Sequence, residues 1–451
     1  MTYDETIEYL YAAAPAFTKV GAVAYKEGLA TTEALDAHSG HPHHSYLTIH
    51  IAGTNGKGSC SHSIAAILQE AGLKVGLYTS PHLVTFRERI RVNGEMIPED
   101  YVTGWVERNR DFFEPLGPSF FELTTAMAFE YFRDAEVDIA VIEVGLGGRL
   151  DCTNIITPIL SVITNISFDH TQFLGDTLSK IAREKAGIIK RGVPVVIGET
   201  TAETRQVFEE RASELSSPII FAEEHPVRLD CNYDLHGIYQ NLNRQTVLNC
   251  LVPLARALRA EGIKIQNGTQ IVQRALSAVC KLTGLRGRWQ TLGHSPLAVC
   301  DTGHNVAGWK FLSEQIRQTA TLCRTKAAGR DYTTRIIFGM VDDKDIERVI
   351  EMLPHDAVYY FTQASTHRAI PASTVRDKAE SRGLTGEAYG SVAQAYMAAT
   401  ADASEHDFIF IGGSSYIVAD LLTYIQDAGV IPQRLNTAAL RRESSGGTII
   451  T

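Results

Sequence analysis

Residues Leu47-Thr-Ile-His-Ile51 form an apolar run of strand length that breaks into Ala52-Gly53-Thr54-Asn55-Gly56-Lys57-Gly58-Ser59. A helical pattern follows at once, predicted through Ala71, with Ile64, Ile67, Leu68 and Ala71 on one face. A strand that ends in glycines and restarts as a helix commits this stretch to an α/β layer. The same junction gathers backbone N–H groups, a lysine and a hydroxyl at a helix start, the arrangement that wraps around phosphates. Glycines let the backbone approach the phosphate oxygens, Lys57 neutralises charge between the β- and γ-phosphates, and Ser59 can reach Mg²⁺. The strict G-x-x-x-x-G-K-[ST] spacing fails, because Gly58 stands between Lys57 and Ser59. The ordinary alternative is a glycine-rich βα turn with no ligand.

Strand-length apolar runs continue at 75–78, 137–144, 159–165 and 193–197, and a second series lies at 297–301, 335–340, 357–361 and 408–411. A helix-rich stretch, roughly 239–283, separates the two series and ends in Gly284-Leu-Arg-Gly-Arg288. Two glycines around short polar residues suit a hinge. We therefore expect an ATP-binding domain over 1–285, a second domain over 286–433 and a tail over 434–451. The chain has 451 residues, too many for one ordinary core.

The 44% apolar and 21% charged content fits a soluble globular protein, and no apolar run reaches eighteen residues. The acidic N-terminus, Met1-Thr-Tyr-Asp-Glu5, is unlike a secretory signal. Seven scattered cysteines without a C-x-x-C pair suit free thiols, so a cytoplasmic location is expected. A net charge of −10 with no basic run argues against nucleic acid or an anionic membrane as partner. The stretch His38, His41, His43, His44 matches no zinc spacing and reads as a solvated loop before the first strand.

Three further pieces bear ionisable groups. Glu143 is the one charged residue near the end of an otherwise apolar strand, and a buried carboxylate is costly unless paired or bound to a cation. It suits a Mg²⁺ ligand or a holder of the attacking water, in the manner of a Walker B acid, with a structural salt bridge as the alternative. Asp169-His170 follows the next strand, where a metal element or a structural pair both fit. In Thr177–Lys190, read as one amphipathic helix, Ile181, Lys185 and Ile188 share a face while Lys180, Arg183, Glu184 and Lys190 point outward. Lys185 therefore sits in or beside the apolar stripe, where a lysine stem can also snorkel outward.

Together and in order, these pieces resemble the folylpolyglutamate synthase/dihydrofolate synthase family of the Mur-ligase superfamily. The resemblance rests on Gly53-Thr-Asn-Gly-Lys-Gly-Ser59, Tyr78-Thr-Ser-Pro-His-Leu83, Phe86-Arg-Glu-Arg-Ile90, Glu143-Val-Gly-Leu-Gly-Gly-Arg-Leu-Asp151 and Phe168-Asp-His-Thr171. It continues through Glu184-Lys-Ala-Gly-Ile-Ile189, Asp301-Thr-Gly-His-Asn305, Phe338-Gly-Met-Val341 and Gly413-Ser-Ser-Tyr416, covering about residues 1–430. It implies a P-loop ATPase domain of the Mur-ligase type followed by a smaller Rossmann-like α/β domain. It also implies Mg²⁺ ligands at Ser80, Glu143 and His170, a carbamylated Lys185 that helps hold a second Mg²⁺, and a monovalent cation. Arg288, Asp301 and His304 are implied contacts of nucleotide and transferring phosphate, with Gln240 and Asn243 near ATP and Ser414 near glutamate. The loop with His82, Phe86 and Arg89, together with Phe121 and Asp151, is implied to line the folate pocket, although Phe86 and Phe121 equally suit a core. Three motifs depart from the family pattern, at Leu285-Arg-Gly-Arg288, Asp301-Thr-Gly-His-Asn305 and Tyr239-Gln240, while keeping Arg288, Asp301, His304 and Gln240.

The expected reaction joins L-glutamate to dihydropteroate or a reduced folate, with ATP converted to ADP through an acyl phosphate, in a monomer carrying both activities. Closure about the 284–290 hinge is expected to keep water from the acyl phosphate. A cell-wall Mur ligase is one competing reading, weakened because no additional N-terminal domain for a uridine-nucleotide carrier is found. A nucleotide-binding regulator is another, and it gives no reason for Asp301, His304 and Ser414.

Overall fold

The computed structural model describes residues 1–14 and 28–429. These residues form two compact units, one comprising 1–235 and 239–285, the other 236–238 and the chain from Arg286 on. The short segment 236–238 joins the second unit through Gln315, whose side chain accepts the Ile238 N–H at 2.7 Å and donates to the His236 carbonyl at 2.9 Å. The expected tail over 434–451 lies outside the described residues.

The first unit is built on strands β1 (Leu47–Ala52), β2 (Val75–Tyr78), β3 (Ile90–Val92), β4 (Glu95–Met96), β5 (Ile139–Glu143), β6 (Leu160–Ile163), β7 (Val195–Ile197) and β8 (Ile219–Phe221). They lie in the order β4-β3-β2-β5-β1-β6-β7-β8, parallel from β2 to β8, with β3 and β4 antiparallel at one edge. Alternate side chains of β5 enter different cores: Ile139 and Val141 pack with the helix Lys57–Glu70, Ala140 and Ile142 with the helices Glu99–Phe113 and Phe120–Asp134. Both faces are covered, so the strands read as continuous apolar runs. The chain leaves β1 for β2 on one side and reaches β6 on the other. That makes the carboxyl end of β1 a topological switch point, where open α/β sheets take ligands.

The second unit contains β9 (Gln290–His294), β10 (Leu297–Asp301), β11 (Thr334–Phe338), β12 (Ala357–Phe361), β13 (Thr385–Ala388) and β14 (Phe408–Gly412), in the order β13-β12-β11-β14-β10-β9. Only β9 is antiparallel to its neighbour. Trp309 packs edge-on against Phe338 and Phe410, with ring centroids 5.5 and 6.0 Å apart.

Several local expectations need correction. The helix after the phosphate loop ends at Glu70, and it is buried on every side from Ser59 to Leu68 rather than along one stripe. The helix over Leu178–Ala186 stops four residues short of Lys190, with Gly187 at its C-cap; Ile188 is buried beyond the helix, and Lys190 Nζ turns inward to the Asn154 carbonyl at 2.9 Å. The histidine stretch is solvated only in part: His38, His41 and His44 are exposed, but the segment is ordered and His43 is not exposed. His38 closes the helix Ala30–His38, and the 3₁₀ turn Pro42–Ser45 holds His43 and His44. His43 is buried, and Asp36 binds both His41 and His43 at 2.6 and 2.7 Å, which compensates the buried carboxylate. Strands β3, β4, β8, β9 and β13 are too short or too polar for the apolar pattern to find. All seven cysteines are free thiols, and no helix among the described residues is long and apolar enough to cross a membrane.

Candidate active site

The phosphate loop occupies the switch point at the end of β1. Gly53 has φ +148°, and a Cβ there would stand 1.8 Å from Thr164 Oγ1; Gly56 has φ +85°, and a Cβ would stand 2.2 Å from Asn243 Oδ1. Only glycine satisfies both the backbone and the space at these positions. The loop is stapled to the segment leaving β6. Thr54 N–H donates to the Asn165 carbonyl at 2.9 Å, Asn55 N–H to Asn165 Oδ1 at 3.0 Å, and Ser167 N–H to Thr54 Oγ1 at 3.0 Å. Thr164 Oγ1 donates to the Asn55 carbonyl at 2.5 Å. Thr164, Asn165 and Ser167 escaped the sequence reading, although polar residues crowding the end of an apolar strand were a visible signal.

Gly56 caps the helix Lys57–Glu70, so Gly58 and Ser59 fall in its first turn. Behind the loop, Gln240 Nε2 donates to Ser59 Oγ at 3.0 Å and Asn243 Nδ2 donates to Gln240 Oε1 at 2.8 Å. All three side chains are buried. Gln240 and Asn243, drawn from the start of the helix Gln240–Ala260, thus orient the hydroxyl that follows the loop lysine.

Lys57 Nζ folds back over the loop onto the carbonyls of Gly53 and Thr54, at 3.1 and 3.2 Å. Lys185, 4% exposed, donates to the same Gly53 carbonyl at 2.9 Å. Burial first, and then the charge of Lys57, push the Lys185 amine down to about 7. Glu143 ends β5 opposite Ile51 of β1 and is 3% exposed. His170 sits beyond β6 with φ +50°, a conformation that is uncommon outside glycine, and opens the short helix Thr171–Leu174. Among the described residues no three His, Cys, Asp or Glu side chains form a metal cage. The Ser59 hydroxyl and the Glu143 carboxylate are oxygen donors, the kind that a Mg²⁺ ion takes.

The residues expected around a folate are held by two sets of contacts, which meet where Tyr78 stacks on Phe121 at 5.7 Å between ring centres. Arg89 Nε donates to His82 Nδ1 at 2.8 Å and its guanidinium lies 5.4 Å from the Phe120 ring centre. The Tyr11 hydroxyl, from the helix Tyr3–Ala13 and not foreseen from the sequence, lies 3.3 Å from His82 Nε2. Burial, then the Arg89 charge, hold His82 well below its ordinary pKa. Phe86 and Arg89 are both buried, so Phe86 belongs to the core. Ser80 precedes cis-Pro81 at the start of this loop. The second set is that of Phe121, whose ring packs against Gly145, and Asp151. Burial raises the Asp151 carboxyl despite donors from Thr153, Leu146 and Gly145.

In the second unit, Asp301 ends β10 and accepts the N–H groups of Trp289 at 2.7 Å and Gly303 at 2.8 Å. Arg288 bonds the Thr302 hydroxyl, and His304 Nδ1 donates to the Thr302 carbonyl at 3.1 Å. Ser414 is buried as the N-cap of the helix Ser415–Asp427, its hydroxyl accepting the Tyr416 N–H at 3.1 Å.

Residues 51–225 match the Mur ligase middle domain, and residues 287–415 match the Mur ligase glutamate ligase domain. A Bacillus subtilis protein named dihydrofolate synthase/folylpolyglutamate synthase is 34% identical over 388 residues, covering 78% of this chain and 86% of its own. The chain belongs to the folylpolyglutamate synthase/dihydrofolate synthase family. It is a ligase of the Mur type, and its two sheets are those of that fold. A Haloferax volcanii relative, named probable bifunctional folylpolyglutamate synthase/dihydropteroate synthase, is 32% identical over 445 residues; the match covers 94% of this chain but only 50% of that relative. Escherichia coli FolC in complex with DHPP and ADP superposes with a TM-score of 0.78 at 27% identity, covering 95% of this chain and 99% of FolC. The Yersinia pestis bifunctional folylpolyglutamate synthase/dihydrofolate synthase with Mn, AMPPNP and L-glutamate bound has a TM-score of 0.76 at 25% identity, covering 94% of this chain and 98% of that one.

Proposed function

We propose that this ligase joins L-glutamate to dihydropteroate and to reduced folates, consuming ATP and releasing ADP and phosphate. The observation that carries the reading is the convergence of Lys57 and Lys185 on the Gly53 carbonyl, where the loop that begins the Ser59 helix is stapled to Asn165 beyond β6, with Glu143 ending β5 opposite Ile51 of β1. The named ligands of the relatives, ADP, AMPPNP, DHPP and L-glutamate, support the same substrates here.

Lys57 and the loop N–H groups neutralise the phosphate oxygens while the folate-type carboxylate attacks the γ-phosphorus in line and ADP leaves. The glutamate amine then attacks the acyl phosphate, and phosphate departs as the amide forms. Ser59, Ser80, Glu143 and His170 are proposed to hold Mg²⁺, whose oxygen preference the two hydroxyls and the carboxylate suit, with His170 as the single nitrogen donor. Bound there, Mg²⁺ supplies charge neutralisation at the transferring phosphoryl group. Lys185 suits carbamylation, because an amine with a pKa near 7 is neutral often enough to attack CO₂, and the carbamate adds oxygen donors. Arg288, Asp301 and His304 are proposed contacts of the nucleotide and transferring phosphate, Ser414 of glutamate, and His82, Arg89, Phe121 and Asp151 of the folate.

The test is glutamate-dependent ADP release, with dihydropteroate and tetrahydrofolate offered separately. Release with both supports the two activities, and release with one names a single activity. Release with neither, but with a uridine-linked peptide precursor, would overturn the folate reading.

A further inference from the structure

His50 stands in the middle of β1, between Ile49 and Ile51, with no exposed surface. A polar ring in such a place is costly unless its nitrogens are used. Its Nε2 lies 2.8 Å from Thr153 Oγ1, itself fully buried. The Thr153 hydroxyl donates to Asp151 Oδ1 at 2.5 Å, and the Thr153 N–H donates to the same oxygen at 3.0 Å. A hydroxyl has a single proton, so Thr153 Oγ1 must accept from the ring. That fixes His50 as the neutral Nε2–H tautomer, with Nδ1 buried and without a hydrogen-bond partner. Burial, followed by the charge of Lys190, lowers the ring to about 3 and keeps it neutral.

The other end of the chain of bonds reaches the folate group. Asp151 Oδ2 accepts the Leu146 N–H at 2.8 Å, and Gly145 lies between Asp151 and the Phe121 ring. With donors on both oxygens, the carboxylate plane and the loop over residues 145–148 are set together. We propose that His50 and Thr153 are positioning residues that orient Asp151, and with it the 145–148 loop and the face of Phe121, for the folate-type acceptor. The inference rests on the folate reading above. The relay starts on the strand that feeds the phosphate loop, yet its bonds end on the acceptor side, so it acts on the acceptor rather than on ATP.

The test is steady-state ADP release by the full chain carrying Thr153→Val, Thr153→Ser or His50→Leu, with both KM values measured. Thr153→Val is expected to raise the acceptor KM about tenfold, the cost of one hydrogen bond to a charged group, with the ATP KM held within about twofold. Thr153→Ser restores the acceptor KM because it keeps the hydroxyl, and His50→Leu gives an intermediate rise. An unchanged acceptor KM in Thr153→Val overturns the proposal, as does an equal rise in both KM values or a folded Thr153→Ser that does not recover. The ¹⁵N NMR signature of His50 needs no substrate: a proton on Nε2 is expected, and one on Nδ1 refutes the relay. Wild-type enzyme inactive with every folate acceptor would sink the folate reading instead, and the NMR result would still decide the relay.

Discussion

Lys57 and Lys185 donate to one and the same oxygen, the Gly53 carbonyl, at 3.1 and 2.9 Å. Two ammonium groups on one acceptor repel each other, and the one deeper in low-dielectric surroundings yields its proton more easily. Lys185 is that one, lowered from the ordinary 10.5 to about 7 by burial and then by Lys57. Between those values the unfolded chain binds more protons than the folded one, so this group's contribution to stability rises with pH from about 7 to 10.5. Lys185→Met removes the buried charge. We expect the variant to melt higher than the parent at pH 7, with the gap closing as pH approaches 10, while ADP release falls at least a hundredfold. Melting curves at the two pH values check this, and a gap that does not change with pH would refute it.

Glu143 gives a second separation of stability from activity. Burying a carboxylate to 3% exposure at the end of an apolar strand carries a desolvation cost. Glu143→Gln keeps the shape and removes the charge. The expected outcome is an unchanged or raised melting temperature with kcat down by about 10² or more, the scale of losing an electrostatic group at a transition state. A variant within tenfold of wild-type activity would show that Glu143 is a structural residue.

The central strands and the phosphate loop were legible because strong physical constraints leave strong patterns. β1, β2, β10 and β12 fall on the expected residues, since strands buried on most of their surface are mostly apolar. Glu143 and Lys185 were visible as charges in apolar contexts. Edge strands β4 and β13 were not, because an edge half open to water permits Glu95 or Glu387 and loses the apolar signature. The burial of His43 also escaped, because the turn that brings it back onto Asp36, seven residues earlier, carries no periodic signal. The Tyr11 contact to His82 spans 71 positions and leaves no local trace.

Gly56 offers a test of the loop that does not touch a charged group. Alanine there combines a strained φ of +85° with a Cβ 2.2 Å from Asn243 Oδ1. Either the loop or the Asn243 side chain must move, and Asn243 is the residue that holds Gln240. Gly56→Ala is expected to raise the ATP KM at least tenfold and lower stability by about 1–3 kcal/mol, the usual cost of a strained backbone position. The acceptor KM should change little. Denaturant unfolding and the two KM values check this, and a variant with wild-type ATP KM would show that the loop backbone does not follow the phosphates.

Gln240 tests the layer behind the loop. Its amide donates to Ser59 Oγ and its carbonyl accepts from Asn243, and all three groups are buried. The bond from Gln240 occupies one lone pair of the Ser59 oxygen and restrains the hydroxyl, whose other lone pair would be the donor if Ser59 holds Mg²⁺ as proposed. Gln240→Ala leaves Ser59 free to rotate and Asn243 Nδ2 without its acceptor, a buried loss of about 1–3 kcal/mol. The expected result is an ATP KM raised about tenfold and a higher Mg²⁺ concentration for half-maximal rate, with the acceptor KM unchanged. Gln240→Met, which fills the space without either bond, should behave like alanine in both measurements and recover part of the stability. If methionine instead restores the Mg²⁺ requirement to the wild-type value, Gln240 acts only by filling space.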